Sequence, residues 1–222
     1  MTGALHPAVD GTMARLRALG VLPVVELDAV DLALPLADAL TAGGLPVAEI
    51  TLRTEPGLEA LRLLRRERPD VFVGAGTVRT LDDAERALEA GAQFIVSPSI
   101  YPELVELCLA SGVACIPGTC TPTEIDAAVR AGAPLVKFFP AEPMGGVAFL
   151  KALAGPFRDV QFVPTGGVSI DNLAAYLELP NVAACGGSWL VAPAILREHS
   201  FERVESLVRE AVAVVAEVRA HG

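Results

Sequence analysis

Short apolar runs rich in β-branched residues recur along the chain, and stretches of helical periodicity fill the intervals between them. The runs are Val21–Val25, Val47–Thr51, Val71–Gly74, Gln93–Ser97, Val113–Pro117, Leu135–Phe139, Val160–Pro164 and Val182–Cys185. Their starts lie roughly 20 to 26 residues apart, the repeat of a strand followed by a helix. Each run is mostly apolar on both faces, as in a parallel sheet covered by helices. Helical patterns occupy Ala8–Leu19, Leu32–Ala42, Gly57–Arg68, Leu81–Ala90, Pro102–Ala110, Pro122–Ala131, Gly146–Ala154, Ile170–Glu178 and Phe201–Ala220.

Local chemistry supports these boundaries. Thr80 is suited to cap a helix with Asp82 and Asp83 in its first turn, and Thr121-Pro122 opens another with proline in the first helical position. Gly43, Gly91 and Gly132 each follow an alanine where a left-handed residue would end a helix. Eight units of this kind predict a closed (β/α)8 TIM barrel with an extra N-terminal helix rather than an open doubly wound sheet. With no linker or shift in composition, residues 1–222 read as one domain. Its parts are an N-terminal helix within 1–20, the barrel over 21–198 and a C-terminal helix over 199–222.

Composition narrows the function. Hydrophobic residues make up 52% and charged residues 20%, which excludes a disordered chain. The formal charge of -10 repels a phosphate backbone, so no nucleic-acid partner is expected, and an anionic small substrate would need a local cluster of donors. Cys108, Cys115, Cys120 and Cys185 form no Cys-x-x-Cys pair and read as reduced thiols. His6, His199 and His221 all lie near the termini, so no metal site is expected. Met1 to Asp10 does not read as a signal peptide, and the apolar stretch Leu179–Leu196 is interrupted by glycines and prolines. These features predict a cytoplasmic protein with no membrane partner. A mean hydropathy of +0.49 fits burial of apolar surface between subunits.

Function in such a barrel is expected where strands end and loops begin. Lys137 interrupts the apolar segment Ala133-Pro-Leu-Val-Lys-Phe-Phe-Pro140. Burial there disfavours an ammonium and favours the free amine that attacks a ketone. A lone lysine would more simply be an exposed strand end or a salt-bridge partner, but a second charge, Glu49, interrupts another strand. Alternation places Val47, Glu49, Thr51 and Arg53 on one face, so Glu49 could move protons and Arg53 could clamp a carboxylate. A structural Glu–Arg pair accounts equally well for those two alone. Gly74-Ala-Gly-Thr77 offers a loop close to a ligand and a hydroxyl at Thr77. Thr165-Gly166-Gly167 and Gly186-Gly187-Ser188 follow the seventh and eighth runs, where barrels of this kind bind phosphate.

These motifs occur in a distinctive order: Glu49-Ile-Thr-Leu-Arg-Thr54, Gly74-Ala-Gly-Thr77, Lys137-Phe-Phe-Pro-Ala141, Pro164-Thr-Gly-Gly167 and Gly186-Gly-Ser-Trp-Leu190. The sequence closely resembles the 2-keto-3-deoxy-6-phosphogluconate (KDPG) and 4-hydroxy-2-oxoglutarate (KHG) aldolase family from about Gly20 to Pro193. The resemblance implies a class I, Schiff-base aldolase of the Entner–Doudoroff type. It would split a phosphorylated keto acid, 2-dehydro-3-deoxy-6-phosphogluconate, into pyruvate and D-glyceraldehyde 3-phosphate, with side activity on 4-hydroxy-2-oxoglutarate. The family also implies a homotrimer with no metal and no cofactor beyond the lysine imine. By matching motif, Lys137 would carry the imine and Glu49 would be the general acid/base. Arg53 and Thr77 would hold the carboxylate. Gly166, Gly167, Gly186, Gly187 and Ser188 would hold the phosphate, and Pro98, Phe139 and Thr165 would line the pocket.

Two stretches depart from the family pattern near the fourth and fifth strands: Ser99 stands where relatives usually carry glycine, and Pro117-Gly-Thr-Cys120 replaces a commoner sequence. Both bear on the aldehyde end of the substrate. The alternatives are an aldolase acting mainly on 4-hydroxy-2-oxoglutarate or the galactonate epimer, a sugar-phosphate isomerase or epimerase, and a binding protein without turnover. The isomerase reading needs carboxylates as proton shuttles, and the sequence offers Glu49 no obvious acidic partner at a neighbouring strand end.

Overall fold

The computed structural model describes residues 6–221, so residues 1–5 of the expected N-terminal segment lie outside the described residues, as does Gly222. The helices begin where side chains can satisfy their first N–H groups. Thr80 Oγ1 accepts from the Asp83 N–H at 3.0 Å to start α4 (Leu81–Glu89). Thr121 and Glu124 form a reciprocal capping box at the start of α6 (Pro122–Arg130). Proline opens α1 (Pro7–Leu19), α3 (Pro56–Glu67) and α5 (Pro102–Ala110). The remaining long helices are α2 (Ala33–Ala42), α7 (Gly146–Leu153), α8 (Ile170–Leu177) and α10 (Phe201–His221). A short α9 (Pro193–Arg197), which the periodicity did not reveal, precedes the last of them.

Gly91 and Gly132 are left-handed, as expected of helix stops, whereas Gly43 is not. Gly43 has φ −74°, and Gly44 takes the left-handed turn with φ +93°. Gly43 serves a different need: a Cβ there would stand 2.4 Å from Val208 Cγ1, so its absence lets α10 approach α2.

The eight apolar runs appear as nine strands. Strands β1 (Val21–Val25) and β2 (Val47–Thr51) match the expected bounds. β3 (Phe72–Gly76) reaches two residues further, and β4 (Phe94–Val96) is shorter. The fifth run, Val113–Pro117, forms β5 (Ala114–Ile116), and beyond Pro117, which has no N–H to donate, a further short strand β6 (Gly118–Thr119) lies outside the expected bounds. β7 (Leu135–Phe138) and β8 (Gln161–Pro164) follow. β9 (Cys185–Gly187) begins where the expected run ends, because Cys185, Gly186 and Gly187 pair with Val21, Leu22 and Pro23 of β1.

The result is an α/β fold with a curled parallel sheet of six strands in the order β5-β4-β3-β2-β1-β9 and a second sheet in the order β6-β7-β8. Bridges Phe162↔Val182 and Thr165↔Gly186 connect β8 to the segment that forms β9. α1 buries Val9 and Leu16 and lies against β1 and β5, while α10 lies along α2 and α8. All four cysteines are free. Among the described residues no helix is long and apolar enough to cross a membrane.

Candidate active site

Parallel strands expose their loop-bearing ends on one side, and the charged residues of β2 and β7 meet there. Lys137 lies within β7 between the buried residues Val136 and Phe138 and is itself 6% exposed. Its Nζ donates to Glu49 Oε1 of β2 at 3.4 Å. Glu49 is 1% exposed, so the pair is held away from bulk water, in surroundings where electrostatic interactions are stronger than in solvent. The adjacent strand makes room for the carboxylate: a Cβ at Gly76 would lie 2.3 Å from Glu49 Oε1. Gly74 is needed for a different reason, since a Cβ there would lie 2.3 Å from the Phe94 ring. The absence of a side chain at Gly74 and Gly76 thus makes room for Phe94 and for Glu49 respectively.

Above the pair is a cavity of about 310 Å³. Of the residues anticipated from sequence, Arg53, Thr77, Pro98, Lys137, Phe139, Thr165, Gly166, Gly167, Gly187 and Ser188 line it. Val24 and Val168 complete the lining and were not anticipated. Glu49 lies beneath Lys137 rather than in the wall. Gly186 also lies outside the lining, and its absent Cβ makes room for Thr165 Oγ1, which would be 2.2 Å from it. A larger groove of about 700 Å³ between α8 and α10 contains no lysine in its wall.

The walls differ in chemistry. Phe139 projects into solvent, 37% exposed, with Lys137 Nζ 5.3 Å from its ring centroid. Thr77 has φ +59°, a strained backbone for a β-branched residue and one that fixes its orientation at the end of β3. Gly166 and Gly167 have φ +97° and +84°, which only glycine adopts freely, and form a tight turn after β8. Gly187 passes beneath the Trp189 ring, where a Cβ would stand 1.7 Å from Cζ3, and Ser188 is exposed at the rim.

Arg53 is not alone at the mouth. Its Nη1 is 3.0 Å from Glu26 Oε2, in the residue that follows β1. Glu26 supplies the acidic group at a neighbouring strand end that sequence reasoning did not find. A charged residue directly after the apolar run Val21–Val25 was the available signal. Lys137 and Arg53 are thus each paired with a carboxylate, and an anionic substrate group would also draw on the main-chain amides of the glycine turns. Among the described residues no group of three or more His, Cys, Asp or Glu side chains is arranged to hold a metal ion.

Comparison with known proteins identifies relatives of this arrangement. The family described as KDPG and KHG aldolase matches residues 12–207. The 2-dehydro-3-deoxy-phosphogluconate aldolase of Pseudomonas aeruginosa is 48% identical over 208 residues, covering 92% of this chain and 93% of that protein. The crystal structure of KDPG aldolase from Legionella pneumophila, with pyruvate captured as a covalent carbinolamine intermediate, superposes with a TM-score of 0.86 at 41% identity. It covers 89% of this chain and 96% of that one. The 2-keto-3-deoxy-6-phosphogluconate aldolase of Zymomonas mobilis with 3-phosphoglycerate superposes with a TM-score of 0.87 at 38% identity, covering 94% and 96%.

Proposed function

The chain belongs to the KDPG and KHG aldolase family, and from that membership we propose that it cleaves 2-dehydro-3-deoxy-6-phosphogluconate through an imine on Lys137. It is a class I aldolase, a carbon–carbon lyase. The observation that carries the assignment of residues is the buried contact between Lys137 Nζ and Glu49 Oε1 under the cavity, 3.4 Å long. A lysine in apolar surroundings beside one carboxylate has a nucleophile and a proton acceptor within reach of the same carbon atoms.

The Lys137 amine adds to the C2 ketone, and loss of water from the carbinolamine gives a protonated imine that serves as the electron sink. Glu49, directly or through one water, takes the C4 hydroxyl proton. The C3–C4 bond breaks, its electron pair flows into the imine to form an enamine, and C4 leaves as the aldehyde of D-glyceraldehyde 3-phosphate. Glu49 returns a proton to C3, and hydrolysis of the imine releases pyruvate and restores the amine. Lysine supplies the electron sink, so the sequence of steps calls for no metal or other cofactor.

Arg53 and Thr77 hold the pyruvate carboxylate so that the imine plane is aligned for cleavage. Gly166, Gly167, Gly187 and Ser188 hold the phosphate, with Gly186 supporting Thr165 from behind. Pro98, Phe139 and Thr165 enclose the carbon chain between them. 4-Hydroxy-2-oxoglutarate, which lacks the phosphate, is a secondary substrate. The two sheets close as one eight-stranded barrel, with β5 and β6 as two parts of a single strand. The barrel spans residues 21–198 of one domain, with helices on either side of it, and the protein acts as a cytoplasmic homotrimer.

The test is borohydride trapping with pyruvate, read by peptide mass spectrometry on the native protein and on Lys137→Ala. A reduced pyruvyl adduct confined to the Lys137 peptide is the expected result. A folded native protein that forms no adduct overturns the assignment.

A further inference from the structure

The turn at Gly166–Gly167 is gripped by a side chain that the reaction itself does not use. Glu142 lies just beyond β7, and its main-chain N–H donates to Gly166 O at 3.0 Å, next to the bond from the Ala141 N–H to Thr165 O at 2.8 Å. The Glu142 stem stands against the turn so closely that a Cβ at Gly167 would be 2.6 Å from both its Cβ and its Cγ. The carboxylate then accepts a hydrogen bond from the Tyr176 phenol of α8.

Tyr176 is fully buried. Burial pushes its phenol up and the bond to Glu142 adds to the effect, so it remains a donor at neutral pH. The first residue of α7 is adapted to this contact: a Cβ at Gly146 would lie 2.7 Å from Glu142 Oε1 and 2.9 Å from the Tyr176 hydroxyl. From the other side, Asn172 Nδ2 donates to Gly167 O at 3.0 Å while its Oδ1 caps α8 at the Ser169 N–H. The turn is therefore tied to α8 at two points one helical turn apart, once directly through Asn172 and once through Glu142.

We propose that the Glu142–Tyr176 hydrogen bond is a positioning device for the phosphate turn, setting how tightly the enzyme holds a phosphorylated substrate without taking part in bond cleavage. The inference rests on the reading of Gly166, Gly167 and Ser188 as the phosphate site. A rigid turn presents its amides to the anion without first having to be ordered, and loosening it weakens binding rather than chemistry.

The experiment compares KM and kcat for 2-dehydro-3-deoxy-6-phosphogluconate with the pyruvate concentration that half-saturates borohydride inactivation, a measure independent of phosphate. Tyr176→Phe should raise KM about 5- to 10-fold, the effect of losing roughly 1 kcal/mol of binding, with kcat and the pyruvate value within about twofold of native. Glu142→Gln keeps the stem and an acceptor for the phenol, and should stay near the native KM. If Tyr176→Phe shifts KM and the pyruvate value together, the pair only supports packing and the proposal is overturned. If Ser188→Ala raises KM but Tyr176→Phe does not, positioning is refuted while the phosphate site stands. If neither variant changes KM, the phosphate reading fails and the proposal falls with it.

Discussion

Arg53 and Glu26 form an ion pair at the mouth of the cavity, with Arg53 Nη1 3.0 Å from Glu26 Oε2. They follow neighbouring strands β2 and β1, and both side chains are partly exposed, so the pair is worth at most about 1 kcal/mol. A substrate carboxylate bound to Arg53 must share the guanidinium with Glu26 or displace it. Glu26→Gln is therefore expected to lower the pyruvate concentration that half-saturates imine trapping, by up to about fivefold. An increase would mean that Glu26 holds Arg53 in place rather than competing with the substrate.

Lys137 and Glu49 make opposite demands on stability and catalysis. Removing the lysine leaves a carboxylate with 1% exposure and no cation beside it, a loss of about 3 to 5 kcal/mol for a buried pair. Lys137→Met should lower the unfolding midpoint in urea, and adding Glu49→Leu should recover most of the loss, because both charges are then gone. On the catalytic side, Glu49→Gln keeps the amine and should still form the pyruvyl adduct, while kcat for cleavage falls about 10²- to 10⁴-fold. Native turnover by Glu49→Gln would remove Glu49 from proton transfer.

Gly74 and Gly76 are separated by one residue on β3 but should respond differently to alanine. At Gly76 the added methyl meets the Glu49 carboxylate, so Gly76→Ala is expected to displace the acid/base group and cut kcat about 100-fold in a folded protein. At Gly74 it meets the Phe94 ring, so the effect is overpacking, with about 1 to 3 kcal/mol lost from stability. Circular dichroism, urea unfolding and steady-state kinetics on the two variants separate these outcomes. Equal effects of both on kcat would show that Gly76 has no particular relation to Glu49.

Lys137 and Glu49 were legible in the sequence because a charge inside an apolar strand contradicts its surroundings, and the strand period gives the direction it faces. The strand starts were legible for the same reason of pattern, except at the eighth run. There the pairing of Cys185–Gly187 with β1 outweighed the β propensity of Val182. What remained hidden depends on contacts between distant residues. Nothing near Gly43 announces Val208, and nothing near Gly167 announces Glu142 or, through it, Tyr176. The glycines at 74, 76 and 186 could be read as places where the backbone comes close to something, but not as to what. Phe94, Glu49 and Thr165 were the answers.

The Glu124 carboxylate links the loop after β6 to α6, and its charge should make that link sensitive to acid. Partial burial pushes its pKa up, but hydrogen bonds from the Cys120 N–H, from the Thr121 hydroxyl and N–H and from the Cys120 thiol bring it below the ordinary value overall. A group whose pKa is lower in the folded state contributes stability above its unfolded value, about 4.3 for glutamate, and loses it as the pH falls through the folded value. Glu124→Gln keeps the shape of the capping box but has no charge, so it should be less stable than native at pH 7 by about 0.5 to 1 kcal/mol. As the pH is lowered below about 4.3 the native carboxylate becomes protonated and the difference should close. Urea unfolding of both proteins in steps from pH 7 to about pH 3 measures this. A gap of constant size would assign the contribution of Glu124 to its shape and not to its charge.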